Sequence, residues 1–127
     1  MSESLAIMNR KLLFILFSAD ACRRNHAFMY ALDLTQHGPS VRVILEGEAT
    51  QCLRARQGRF AELFEQARDL GLIVGACRTA SSGCSTGDPQ RDVTQLAALE
   101  GIELLDSLGG HAGVERYVKD GYEIVTF

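Results

Sequence analysis

The chain alternates short apolar runs with longer helical patterns, which together predict five strands and four helices. Residues 11–18 (KLLFILFS) are apolar on both faces, as strands buried in a parallel sheet are. Phe60, Leu63, Phe64, Ala67 and Leu70 recur at helical spacing and form the clearest amphipathic helix, which Gly71 ends. The other predicted strands cover residues 41–45, 72–77, 102–105 and 122–127, and the other predicted helices cover residues 24–37, 88–101 and 111–120.

This alternation, with short links between elements, predicts an α/β fold. We expect a three-layer α/β/α sandwich with a five-stranded, mainly parallel sheet and right-handed crossovers. A length of 127 residues is sufficient for one domain with its own core, so residues 1–127 are predicted to form a single domain with a flexible segment at residues 1–9. In such sheets, ligands bind beyond the carboxyl ends of the strands.

Composition and charge narrow the classes of function. A net charge of -3 with scattered Lys and Arg predicts no nucleic-acid partner. The longest apolar run, residues 12–17, is too short to span a membrane, and the N-terminus lacks the order of a secretory signal, so a cytoplasmic location is expected. The four cysteines are then expected to be thiols. The glycine-rich segment GGHAG at residues 109–113 lacks the G-x-G-x-x-G spacing of dinucleotide-binding loops, so nucleotide binding is not expected. No cofactor is predicted.

Cys77 is the main candidate for chemistry because it follows the apolar run Leu72-Ile73-Val74 at the predicted tip of a strand. The thiolate is the reactive form of cysteine. A helix N-terminus stabilises an adjacent anion by up to ~2 kcal/mol, so a cysteine placed there could be about half ionised at neutral pH. Arg78 could add to this effect. The alternative is that Cys77 is a small buried packing residue.

Polar residues also follow the first two predicted strands. Ser18 and Asp20 come after the first, and Glu46 and Glu48 come after the second. These four residues are predicted to bind a ligand at the sheet edge, and the two glutamates could act in acid–base or metal chemistry. The alternative is that strand-end acids are simply solvated.

The remaining cysteines and histidines carry weaker signals. Cys84 could serve as a partner of the first thiol or could be idle, since its spacing matches no standard redox or zinc pattern. Cys22 and His26 could supply two ligands from one helical face, but without another ligand pair no metal site is predicted. Cys52 is expected to lie in a loop or to pack in the protein, and His111 is expected to begin a helix rather than act as a base.

Four segments, in the order KLLFILFSAD, VRVILEGEAT, GLIVGACRTA and VERYVKDGYEIVTF, resemble the DsrE/DsrF-like family of small α/β proteins of bacterial sulfur relay and sulfur oxidation. The resemblance runs from about residue 11 to the C-terminus. It implies that a cysteine after the third strand, here Cys77, accepts sulfur as a persulfide. It also implies a homo-oligomer, a trimer or hexamer. Cys84 and the Gly/Ser-rich segment after Cys77 depart from the family pattern.

The leading hypothesis is therefore a cytoplasmic sulfur carrier or sulfurtransferase that exchanges sulfur with donor and acceptor proteins. In this hypothesis Cys77 carries the persulfide, backbone N–H groups and Arg78 stabilise it, and Cys84 shields or resolves it. Two alternatives stay open. One is a non-catalytic binding or assembly subunit that uses Glu46 and Glu48, and the other is a thiol redox sensor that uses Cys77 and Cys84.

Overall fold

Five parallel strands form one sheet with the order β4-β3-β2-β1-β5 in a computed structural model that describes residues 6–83 and 87–127. This arrangement confirms the predicted α/β class and the five-stranded parallel sheet. The strands are β1 (Lys11–Leu16), β2 (Ser40–Leu45), β3 (Ile73–Cys77), β4 (Leu104–Leu105) and β5 (Glu123–Thr126). The helices are α1 (Ala21–Gln36), α2 (Gly58–Asp69), α3 (Arg78–Ser81), α4 (Thr94–Leu99) and α5 (Glu115–Lys119), with 3₁₀ helices at Gly47–Leu53 and Pro89–Arg91.

The larger part of the core lies between the sheet and helices α1, α2 and α4. Its centre is aromatic: the Phe28 ring of α1 contacts the Phe60 ring of α2 edge-on at 5.1 Å between centroids and stacks on Phe64 at 6.0 Å. Such pairs stabilise beyond the area that they bury. The predicted apolar face of α2 is confirmed, since Phe60, Leu63, Phe64 and Ala67 are all buried.

A smaller apolar cluster lies on the other face of the sheet and includes Cys77. Its buried members from the other strands include Leu13, Ile44 and Leu105, and Tyr117 of α5 packs against the cluster. Helical segments therefore cover both faces of the sheet, as the predicted three-layer sandwich requires.

Several element boundaries differ from the prediction for local reasons. Helix α1 begins at Ala21 because the Asp20 side chain accepts a hydrogen bond from the backbone N–H of Arg23. It buries Ala27, Phe28, Ala31 and Leu32, whereas Tyr30 is half exposed. The predicted helix at residues 88–101 divides into the second 3₁₀ helix and α4, and the predicted helix at residues 111–120 begins only at Glu115.

Two short helical segments, one near the N-terminus and one after β2, are absent from the prediction. Residues 6–8 of the predicted flexible segment form a helical turn, and residues 1–5 lie outside the described residues. The 3₁₀ helix at Gly47–Leu53 follows β2 directly and is capped by the side chain of Glu46. Within the described residues, no helix has the length and apolarity needed to cross a membrane.

Candidate functional site

Three neighbouring strand ends bring Glu46, Cys77 and His111 together. In the β2–β3 register Leu45 pairs with Ala76, so Glu46, the residue directly after β2, lies beside Cys77. Strand β4 pairs with the other side of β3, and the segment after β4 returns to this edge with His111. One ligand atom from each of the three side chains lies within 4.8 Å of the other two.

Cys77 ends β3 and caps the N-terminus of the short helix α3. Its Sγ accepts a hydrogen bond from the backbone N–H of Ala80 at 3.4 Å. The same sulfur lies 3.3 Å from Nδ1 of His111. The thiol therefore contacts both a fixed backbone donor and an imidazole nitrogen that can share its proton.

A tight turn holds His111 over the sulfur. The backbone N–H and Oγ1 of Thr79 both donate to the carbonyl of Gly110, at 3.0 and 2.7 Å. Gly110 has a φ of 93°, and a Cβ at this position would lie 2.7 Å from Thr79 Oγ1. Only glycine fits this close approach, and the turn is further closed by paired backbone hydrogen bonds between Leu108 and His111.

The state of the Cys77 thiol differs from the expectation in two respects. Cys77 exposes 0 % of its surface, although its predicted role as a sulfur carrier requires a sulfur that a donor can reach. Burial, together with the hydrogen bond and the negative charge of Glu46, raises the pKa of Cys77, while the backbone N–H groups of Ala80 and Ala112 lower it to a smaller extent. A half-ionised thiolate, the upper limit that the sequence allowed, requires a lowered pKa, whereas here the pKa is raised because the four-residue helix α3 does not offset desolvation and a neighbouring carboxylate.

Arg78 does not contact the sulfur in the manner expected. Its Nε donates to Oδ2 of Asp106 at 3.0 Å, and both side chains are about half exposed. This ion pair joins α3 to the segment that follows β4. Arg78 thus helps to hold the turn that carries His111, and as an exposed pair it contributes little to stability.

The predicted ligand-binding residues separate into different environments. Ser18 and Asp20 form hydrogen bonds at the start of α1, where the Ser18 hydroxyl accepts from the Asp20 backbone N–H at 3.0 Å. Glu48 pairs with Arg91. Of these four residues, Glu46 is the one that lies beside the Cys77 sulfur. Cys84, the predicted partner of Cys77, lies outside the described residues.

The other described cysteines have different surroundings. Cys52 is buried, as expected for a packing residue, and burial raises its pKa to about 11. Cys22 is exposed, and its Sγ lies 3.6 Å from Nδ1 of His26 on the same face of α1. The predicted Cys22 and His26 pair therefore exists, but no third Cys, His, Asp or Glu joins it among the described residues.

His111 is the site residue that sequence reasoning missed. The sequence places it four residues before α5, and it was interpreted as the start of that helix. Two signals could have identified it: the pair Gly109-Gly110 permits a sharp turn, and the segment follows a strand whose end lies at the same edge as Cys77.

The arrangement supports two kinds of chemistry. A thiol beside an imidazole can act as a nucleophile with its base. A sulfur, an imidazole nitrogen and a carboxylate oxygen that converge on one point can also bind a metal ion.

Comparison with known proteins gives one distant relative and no family assignment. The chain is 26% identical over 103 residues to an uncharacterized protein of Methanocaldococcus jannaschii, a match that covers 79% of this chain and 76% of that protein. No family model and no solved structure matches the chain.

Proposed function

We propose that the protein is a sulfur carrier that transfers sulfur through a persulfide on Cys77, with His111 as the base. The single observation that carries this proposal is the distance of 3.3 Å between Cys77 Sγ and His111 Nδ1. The fold and the resemblance to DsrE/DsrF-like proteins support it. A cytoplasmic location, a trimeric or hexameric assembly, and donor and acceptor proteins belong to the same proposal.

The proposed transfer is balanced without an added oxidant. His111 takes the proton of Cys77, and the thiolate attacks the outer sulfur of a donor persulfide. The donor S–S bond breaks as the new Cys77 S–S bond forms, and the donor leaves as a thiolate that recovers the proton from His111. Transfer to an acceptor thiol is the same exchange in reverse, so sulfur moves between thiols with no net oxidation or reduction.

A sulfur donor can reach Cys77 only if the side chains that bury its sulfur move. Cys77 is fully buried, whereas His111 is exposed. A rotation of the His111 side chain away from Cys77 would expose the sulfur to a donor. Exposed side chains change rotamer on the picosecond to nanosecond timescale, so this opening is fast compared with chemistry.

Incubation with a small-molecule persulfide, followed by mass spectrometry of each cysteine, tests the proposal. We expect added sulfur on Cys77, retained in a Cys84→Ser variant and lost in Cys77→Ser. Cys22→Ser is the matched control because Cys22 is exposed but not at the site. Added sulfur on Cys22 or Cys84 with none on Cys77 would overturn the proposal.

A second candidate function is favoured by the burial and raised pKa of Cys77. In this case the chain is a non-catalytic binding or assembly subunit, and the thiol packs in the smaller apolar cluster. A Cys77 that stays unmodified in the folded protein supports this alternative. A disulfide between Cys77 and Cys84 under mild oxidant would instead support the redox sensor.

A further inference from the structure

Glu46, Cys77 and His111 offer three different ligand atoms at one point of the sheet edge. Glu46 and Cys77 lie at the ends of β2 and β3, His111 lies in the loop between β4 and α5, and the three atoms lie within 4.8 Å of one another. We propose that these residues form a binding site for one Zn²⁺ ion. The proposal goes beyond sulfur transfer and does not depend on it.

The distances are close to those of a zinc site. Zinc binds cysteine sulfur at about 2.3 Å and histidine nitrogen or carboxylate oxygen at about 2.0 to 2.2 Å, so tetrahedral ligand atoms are roughly 3.5 Å apart. The separation of 3.3 Å between Cys77 Sγ and His111 Nδ1 is near this value. Because no ligand atom is more than 4.8 Å from another, shifts of about an ångström complete the geometry.

The ligand types favour zinc over the other common divalent ions. Calcium and magnesium require oxygen ligands, whereas a set of one sulfur, one nitrogen and one oxygen suits zinc. The charges also match, because the Glu46 carboxylate and the Cys77 thiolate carry one negative charge each and together neutralise a divalent cation.

The surrounding backbone holds the ligands before any metal binds. The N–H of Ala80 donates to the Cys77 sulfur, and the N–H of Glu46 donates to the carbonyl of Leu16 at 2.9 Å. Thr79 binds the carbonyl of Gly110, the residue before His111. Such contacts orient metal ligands and increase affinity.

Three protein ligands leave one coordination position open. In the part of the chain that the structure describes, no fourth Cys, His, Asp or Glu belongs to this group. Structural zinc sites have four protein ligands, whereas three ligands leave a position for water or another small molecule. The inferred site is therefore of the exchangeable type, and a bound zinc ion would occupy the Cys77 sulfur and compete with persulfide formation.

Titration of the reduced, chelator-treated protein with Co²⁺ tests the inference, because cobalt replaces zinc and its thiolate complexes absorb visible light. We expect one equivalent of Co²⁺ to give a sulfur-to-metal absorption band that one equivalent of Zn²⁺ removes. Glu46→Gln and His111→Ala should each weaken zinc affinity by about 100-fold or more, measured by competition with a chromophoric chelator, since even supporting residues contribute 10- to 100-fold. Cys77→Ser should abolish the band.

The pair Cys22 and His26 supplies the matched control because it is a second sulfur and imidazole pair, 3.6 Å apart, with no third ligand among the described residues. The band should be unchanged in a Cys22→Ser, His26→Ala double variant. Circular dichroism of each variant identifies losses that arise from unfolding. The inference is overturned if the double variant abolishes the band, or if folded Glu46→Gln and His111→Ala bind zinc as tightly as the unmodified protein.

These outcomes are independent of sulfur transfer, since no persulfide donor is present in the titration. A protein that binds zinc but leaves Cys77 free of added sulfur contradicts only the proposed function. A protein that forms the Cys77 persulfide but does not bind zinc contradicts only the metal site.

Discussion

Replacement of Glu46 by glutamine should make Cys77 more acidic and more reactive. Glu46 raises the pKa of Cys77 by its hydrogen bond and its charge, which act in addition to burial. Glutamine has nearly the same shape as glutamate, so the substitution preserves the packing around the Cys77 sulfur but removes the negative charge. The variant therefore separates the electrostatic effect of Glu46 from the effect of access.

The magnitude follows from Coulomb's law. A unit charge 4.8 Å from the sulfur, the largest separation that the three ligand atoms have, disfavours the thiolate by about 0.9 kcal/mol at the dielectric constant of water and by about 3.5 kcal/mol at an effective value of 20. Each ~1.36 kcal/mol corresponds to a tenfold change in the ionisation equilibrium. Glu46→Gln is therefore expected to raise the thiolate fraction of Cys77 near neutral pH by about 5- to 350-fold.

Alkylation by iodoacetamide as a function of pH, with mass-spectrometric detection of each cysteine, measures this change. The rate at Cys77 should rise, and its pH profile should move to lower pH. Glu48→Gln is the matched control because Glu48 is two residues away and pairs with Arg91. Cys52 is the internal reference, since burial and a pKa of about 11 should keep it unreactive in every variant. An unchanged Cys77 profile in Glu46→Gln, or an equal shift in Glu48→Gln, would refute the reasoning.

Two further predictions concern stability. Burial acts to raise the pKa of Glu100, but hydrogen bonds from two arginines outweigh burial and lower that pKa. The ionised carboxylate therefore stabilises the folded protein above pH 4.5, and this stabilisation is lost as pH falls toward the lowered pKa. Glu100→Gln should thus cost about 1 to 3 kcal/mol in urea unfolding at pH 7, and an equal cost at about pH 3 would contradict this account. Gly110→Ala should destabilise the protein by about 1 to 3 kcal/mol more than Gly109→Ala. Both glycines have positive φ, but a Cβ would collide with Thr79 at position 110 and not at position 109. Equal melting temperatures for the two variants would show that the turn tolerates a side chain.

The two proposals for the site make opposite use of the same sulfur. Persulfide transfer requires the sulfur of Cys77 to be uncovered, whereas a bound zinc ion would hold it beneath His111. Zinc should therefore protect Cys77 from alkylation if the metal site is correct. The resemblance to sulfur-relay proteins bears on the first proposal, and the geometry of the three ligand atoms bears on the second.

The sequence by itself determined the class of fold and the position of the main thiol. Residues 11–18 form a short continuous apolar run of the length of a buried strand, and the apolar face of α2 repeats at helical spacing, so both patterns are local. Cys77 follows such a pattern, so its place at the end of β3 could be predicted without knowledge of any other element. Helix boundaries were less predictable because they depend on single capping bonds, such as the one from the Asp20 side chain that begins α1.

Only the tertiary structure decided what surrounds that thiol. Glu46 and His111 are distant from Cys77 in sequence, and their approach depends on the strand order and on a two-glycine turn. The sequence could not distinguish Glu46, which faces the sulfur, from Glu48, which faces Arg91. Burial of the sulfur arises in the same way, because Cys77 packs in a cluster with residues that are distant in sequence, such as Leu13 and Ile44. Local patterns depend on neighbours along the chain, whereas ionisation and access depend on neighbours in space.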